Sequence, residues 1–237
     1  MPGETGSDET VDLRKWRLPR GRHGLPRELV AQSQRERLLA AVVRVTAAKG
    51  SEATTVGDIL AEAGVGRESF YELFDDKRDC MLAAHTVLVD HLVERVGAAY
   101  AEEGPWVDRV RGALATVLEW FASDADAARF TLIEVGAVGA ASRERFETVF
   151  GRFVALLKEG LDEDGSRPQL DRAADLAVSA TLALVYEAVV LGRGEELPGR
   201  LADLTYEALV PFVGEERARA ERRRTAASAS SAPSEGR

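Results

Sequence analysis

Residues 54–77, TTVGDILAEAGVGRESFYELFDDK, constrain the fold of this chain more than any other segment. Thr55 and Asp58 have the spacing of a capping box, in which the hydroxyl accepts from an early backbone N–H and the carboxylate reaches back. A short helix opening there carries Ile59 and Leu60 and stops at Gly64. Residues 66–74 read as a second short helix. It buries Phe70 and Phe74 and turns Arg67, Ser69, Tyr71 and Glu72 outward. Two short helices around a tight glycine turn, with Val65 packing back between them, make a helix-turn-helix. The second helix is of a size that enters a DNA major groove about 12 Å wide.

The flanking segments are helical as well. Leu38, Ala41, Val42, Val45 and Ala48 form a stripe of three- and four-residue spacing within 32–49, ahead of a stop at Gly50. Asp76 and Asp79 suggest another capped start, and Met81, His85, Leu88, Leu92 and Val96 share one face of the helix that follows, to about Ala101. After Gly104 and Pro105 comes a stripe of Val107, Val110, Leu114, Val117, Leu118 and Phe121. Ser123 and Asp126 suggest the cap of a helix reaching about Val135. Phe146, Val149, Phe150, Phe153, Leu157 and Leu161 mark a further long helix, followed by an acidic Gly/Pro loop over 162–168. Residues 171–191 are apolar almost all round, as expected of a helix buried on every side, here against a second subunit. Leu201, Leu204, Ala208, Leu209 and Phe212 give a last stripe. No strand period is found. The expected class is all-α, an N-terminal three-helix helix-turn-helix domain joined to a larger helical domain.

Composition narrows the function. The chain has 237 residues and a net charge of -9, which opposes a uniformly basic nucleic-acid coat. The charge is unevenly placed. Residues 13–27, LRKWRLPRGRHGLPR, hold six basic residues and no acid, whereas 51–100 carry a net -6 and 101–213 a net -9. The arm is rich in Gly and Pro, which opposes a regular helix. It reads either as a solubilising tail or as an arm that touches phosphates or enters a minor groove. Cys80 is the single cysteine, so neither an intrachain disulfide nor a cysteine zinc site is expected. His23, His85 and His91 form no metal constellation. Walker, GxSxG, HExxH and dinucleotide glycine patterns are all missing, so neither an enzyme nor a cofactor is expected. No apolar run is read as reaching membrane length and no signal region is read at the N-terminus, giving a cytoplasmic expectation.

The sequence resembles the TetR family of transcriptional regulators, in the manner of actinobacterial members with a basic N-terminal arm. Thr55-Val56, Asp58-Ile59, Ala61, Ala63-Gly64-Val65, Phe70-Tyr71, Phe74 and Lys77 follow the family's order and spacing, and LPRGRHGL looks like the arm. Motif-level likeness covers about residues 33–80. Three departures stand out. Gly66 replaces a capping Ser or Thr, Gly57 replaces a longer polar residue, and Glu68 and Glu72 put acids on the helix nearest DNA.

The resemblance implies a domain plan and a set of contacts. The plan is a flexible basic arm over 1–31, a helix-turn-helix domain over 32–80, a ligand-binding and dimerisation domain over 81–213, and a largely disordered tail over 214–237. DNA contacts are expected from Arg20, Arg22, Thr55, Gly66, Arg67, Ser69, Tyr71, Glu72 and Lys77. Thr55 is equally readable as a pure helix cap. Arg67 suits a bidentate guanine contact, and Tyr71 and Lys77 suit phosphates. Implied partners are double-stranded palindromic operator DNA, a second copy joined through helices at about 171–192 and 200–213, and a small-molecule effector that releases a repressor. Candidate pocket residues are Trp106, Trp120, Phe121, Phe130, Glu134, Phe150, Phe153 and Tyr186. The alternative is a helical ligand-binding or protein-interaction module with weak or lost DNA binding.

Overall fold

The structure, a computed structural model, describes residues 27–134, 140–162 and 168–231. Among these residues it is helical throughout: α1 (Arg27–Lys49), α2 (Val56–Ala63), α3 (Arg67–Leu73), α4 (Lys77–Tyr100), α5 (Trp106–Ser123), α6 (Ala125–Leu132), α7 (Ala140–Asp162), α8 (Pro168–Val190), α9 (Leu201–Val213) and α10 (Glu215–Ser231), with a 3-10 helix, Gly194–Arg200, before α9. The first three helices and the start of α4 form the helix-turn-helix unit, and α4 runs on into the larger helical body.

α2 and α3 have 8 and 7 residues, too short to persist alone, so capping and packing hold them. Thr55 Oγ1 accepts from the Asp58 backbone N–H and donates to Asp58 Oδ2 at 2.6 Å, while Asp58 Oδ2 accepts from the Thr55 N–H at 2.8 Å. Lys49 Nζ lies 2.6 Å from the same carboxylate oxygen. The lysine, then the Thr55 hydroxyl and amide, hold the Asp58 carboxyl well below the usual carboxylate range. At the turn, Gly64 adopts φ +62°, the left-handed region that disfavours a side chain. Its N–H donates to the Leu60 carbonyl at 2.9 Å, and Arg37 donates to the Ala63 carbonyl at 3.4 Å. Ile59, Phe70 and Phe74 fill the core under the turn with Leu38 and Val42 of α1.

α4 buries Met81, His85, Leu88, Leu92 and Val96, the face read from the sequence. Asp76 caps it, accepting from the Asp79 N–H at 2.8 Å. The α6 cap is Asp124, which accepts from the Ala127 N–H at 2.9 Å, while Ser123 donates to the Trp120 carbonyl and closes α5. The cap expected at Ser123 therefore sits one residue later. In α1 the buried face is wider than its stripe: Leu39, Val43, Thr46 and Ala47 are buried and Ala48 is exposed.

Three further expectations are corrected. The flexible arm was drawn to residue 31, but residues 27–31 belong to α1. Residues 215–231 are not a disordered tail: α10 packs along α9, buries Ala218 and Thr225 seven positions apart, and pairs Arg224 with Asp108 of α5. Its arginines and alanines are strong helix formers, and one small-residue face suffices to dock it. Third, one helical stretch, Arg172–Val190 in α8, is long and apolar enough to span a membrane by length and composition. Asp175 and Glu187 interrupt it, and it packs against α7 and α9. Only 17% of that stretch is buried within one chain, so its apolar surface is largely unburied there rather than buried on every side.

Candidate functional site

The helix-turn-helix presents one exposed face. Arg67, Tyr71 and Glu72 of α3 are exposed, and Ser69 is half-buried. Tyr71 stands edge-on to the buried Phe70, with ring centroids 5.3 Å apart, so its ring is braced while half of it stays in solvent. Gly66 holds the N-cap position of α3 in extended backbone, with no side-chain cap bond. Arg20 and Arg22 lie outside the described residues.

Two of the sequence-derived contacts have local partners. Both capabilities of the Thr55 hydroxyl are used inside the capping box, as donor and as acceptor. Lys77 Nζ donates to the Ser51 carbonyl at 2.7 Å and to the Thr54 carbonyl at 2.8 Å. Two of its three N–H groups therefore tie the start of α4 to the loop between α1 and α2. The pattern Phe-Tyr-x-x-Phe-x-x-Lys signals that a lysine belongs there. It does not signal that the ammonium turns inward.

The larger domain holds a cavity of about 990 Å³, at the upper end of the range for small-molecule sites and open to solvent beside Glu147 and Tyr186. Its walls come from α4 (His85, Val89, Leu92, Val96, Tyr100), α5 (Val110, Ala113, Leu114, Val117, Phe121), α6 (Thr131, Leu132), α7 (Phe150, Phe153, Leu156, Leu157) and α8 (Val178, Leu182, Val185, Tyr186). The cavity explains why Leu114, Val117, Phe150 and Phe153 are only half-buried although they lie on apolar helix faces. Among the described residues no lysine or arginine lines it; its ionisable side chains are His85, Tyr100, Glu147 and Tyr186. Thr131 is buried with its hydroxyl unpartnered within the protein, and it faces this space.

Four of the eight candidate pocket residues, Phe121, Phe150, Phe153 and Tyr186, line the cavity. The other four do not. Trp106 donates to the Leu156 carbonyl at 3.2 Å and packs edge-on against Phe212. Trp120 donates to His91 Nδ1 at 3.3 Å. Phe130 is fully buried core. Glu134 accepts from the Ser51 backbone N–H at 2.8 Å. Aromatic identity alone does not separate core from cavity wall, because both sit on the same apolar stripes.

Tyr100 closes one part of the wall by donating to the Leu156 carbonyl at 2.8 Å and to Glu159 at 3.0 Å, beneath the Arg109 guanidinium. Burial, then the bond to Glu159, push its phenol well above the usual range, so it stays protonated. Cys80 is fully buried at the base of α4, and burial, helped by Asp79, pushes its thiol up to about 12, which makes it an inert packing residue.

Residues 38–84 match the family described as bacterial regulatory proteins, tetR family. No curated protein sequence matches the chain. Among solved structures, the fatty acid degradation regulator FadR from Bacillus halodurans superposes with a TM-score of 0.67 at 19% identity, over 74% of this chain and 94% of that one. FadR from Bacillus subtilis in complex with stearoyl-CoA gives 0.61 at 19% identity, over 75% and 97%. A transcriptional regulator from Rhodococcus sp. Rha1 gives 0.62 at 23% identity, over 75% and 96%. The fold over about three quarters of this chain is thus shared with these regulators, and the segment that matches the family contains the helix-turn-helix. Residues 38–84 thus carry the DNA-binding segment of the TetR family, and the helical fold around it is similar to that of the solved regulators.

Proposed function

We propose that this chain is a TetR-family transcriptional regulator that represses transcription from the cytoplasm by binding a palindromic operator as a homodimer, and that an effector entering the cavity releases it. The observation that carries the reading is the placement of the 990 Å³ cavity. One of its walls is α4, whose first turn is bonded through Lys77 into the DNA-reading unit. A ligand that prefers one position of α4 shifts the population of binding-competent dimers.

The dimer is read from α8 and the end that follows it. Leu176 is 69% exposed, Tyr186 47%, Val190 46% and Leu191 52%, an apolar surface that a second copy of α8 and α9 would cover. Two recognition helices held about 34 Å apart enter successive major grooves. In each, Arg67 reads a base, Ser69 and Glu72 lie at the base edges, Tyr71 meets phosphate, and the Gly66 backbone approaches the strand. Arg20 and Arg22 supply phosphate or minor-groove contacts from the basic arm, which offsets the acids around α3.

The effector is read as a long aliphatic chain carried on a polar head, as in an acyl thioester. Two points support this. The fold is similar to that of FadR, whose B. subtilis form is described with stearoyl-CoA. The cavity wall is apolar and lacks a described cation, which suits an uncharged buried portion, with the Thr131 hydroxyl placed to bond a carbonyl. The test is selection of bound DNA from random sequence, followed by titration of the complex with stearoyl-CoA and with short-chain and free-acid analogues. Two inverted half-sites and release only by long-chain thioesters support the reading. Absence of sequence-specific binding at low salt overturns the operator role, and release by no acyl compound overturns the effector class.

A further inference from the structure

The segment that ends α6 beside the cavity meets the DNA-reading unit at one carboxylate. Glu134 follows the end of α6 and is 7% exposed. Its Oε2 accepts from the Ser51 backbone N–H at 2.8 Å, and its Oε1 accepts from Arg129 at 3.1 Å. Thr131 and Leu132, one turn before it, line the cavity, whereas Glu134 itself does not. On the far side of the same residue, the Ser51 carbonyl accepts from Lys77 Nζ at 2.7 Å. That ammonium also holds the carbonyl of Thr54, the residue before the α2 cap, at 2.8 Å. One run of hydrogen bonds therefore leads from Glu134, two residues past the cavity-lining Leu132, through the Ser51 main chain, to the first turn of α4 and the start of α2.

We propose that Glu134 is the coupling residue through which occupancy of the cavity sets the placement of α2 and α3; the proposal rests on the effector reading above. Ser51 is buried, so its N–H has no ready water partner when the carboxylate moves away. A hydrogen bond weakens steeply with misalignment and beyond about 3.2 Å, so a small shift of Glu134 is enough to release Ser51. A ligand that displaces Thr131 and Leu132 moves the end of α6 and loosens Ser51. Lys77 then loses one of its two fixed carbonyls, and the loop that precedes α2 is free to shift. With the cavity empty, the bonds keep α2 and α3 in register with α1.

The test uses the full-length protein and an operator selected from random DNA. The cavity is filled without any ligand by Val117→Trp, or more mildly by Leu114→Phe, both on α5 and on the cavity wall. Each is combined with Glu134→Met, which keeps the length of the side chain but has no oxygen to accept from Ser51 or Arg129. In the native background, filling should change operator affinity at least about 5-fold, the lower end of ordinary coupling between sites, and should speed exchange of the Ser51 amide. In the Glu134→Met background the change should fall below about 2-fold on the same scale. Arg129→Met, which leaves the Ser51 bond in place, should keep the full response. An equal response with and without Glu134→Met overturns the coupling role and leaves the effector reading standing. No response to either filling variant in any background overturns the effector reading, and the coupling with it. If Glu134→Met does not fold, unchanged Ser51 protection on filling the cavity of the otherwise native chain overturns the proposal.

Discussion

Lys77 offers the sharpest test of whether this helix-turn-helix is held from inside or simply rests on DNA. Its ammonium donates to two carbonyls, at 2.7 and 2.8 Å, in a half-buried position. A hydrogen bond from a charged donor contributes about 1.5–3 kcal/mol net, and partial exposure moves each toward the lower end. Lys77→Met keeps the aliphatic stem but removes both bonds and leaves the Ser51 and Thr54 carbonyls short of a partner. We expect a loss of about 2–4 kcal/mol. For a chain of this length each kcal/mol lowers Tm by about 2–4 °C, so the midpoint should fall by about 4–16 °C. Urea or thermal unfolding followed by circular dichroism measures it, and native-state exchange should place the loss in residues 51–60. A lysine serving DNA alone behaves differently. Its removal would alter stability by less than about 0.5 kcal/mol, weaken binding to all sequences equally, and lower the salt slope by about one. That pattern would refute the interior role.

Other outcomes follow from the same geometry. Gly66→Ser places a side chain where a Cβ meets nothing within 4 Å; it should add a few tenths of a kcal/mol through N-capping and tighten operator binding, measured by unfolding and by DNA titration. Gly57→Ala meets only Thr55 Oγ1, at an ordinary 3.6 Å, and should raise stability by about 0.5–1 kcal/mol by denaturant midpoint, since glycine weakens a helix interior. Burial, then Arg95, lower the affinity of His91 for a proton while its Nδ1 accepts from Trp120. Its folded pKa lies below the unfolded value, so the stability it contributes is complete above about pH 6.5 and is lost as pH falls through the folded pKa; a His91→Gln chain should lose that pH dependence. Deleting residues 1–26 should weaken operator binding and flatten its salt dependence by several contacts, and an unchanged slope would remove the arm from the interface.

The sequence displayed most of the helices because amphipathic stripes and caps are local. The Thr55–Asp58 box, the Gly64 turn and the burial of Phe70 and Phe74 depend on neighbours within a few residues, and all were legible. Where a helix ended against another element, the text was silent. Among its described side chains α10 buries one alanine and one threonine on its docking face, a signal too faint to tell from a solvated tail. The cavity wall was half legible for a related reason. Trp106 shares its stripe with Val110 and Ala113, which line the space, and the distinction lies in what the facing helix supplies. Glu134 was noticed as an acid in an apolar helix, but its partner is the main chain of Ser51, 83 residues away, and a backbone amide has no sequence signature.

The empty space at the centre of the larger domain has one more consequence. Side chains around it face no packing partner, so dispersion contacts that a filled core would make are forgone. A molecule that binds there stabilises the folded chain by mass action, by about 2.7 kcal/mol at a hundredfold excess over its Kd. Under the proposed function the protein therefore reports its own effector. A thermal-shift screen of metabolite libraries needs neither the operator nor the regulated genes, and the compounds that stabilise the fold are the ones to carry forward to DNA.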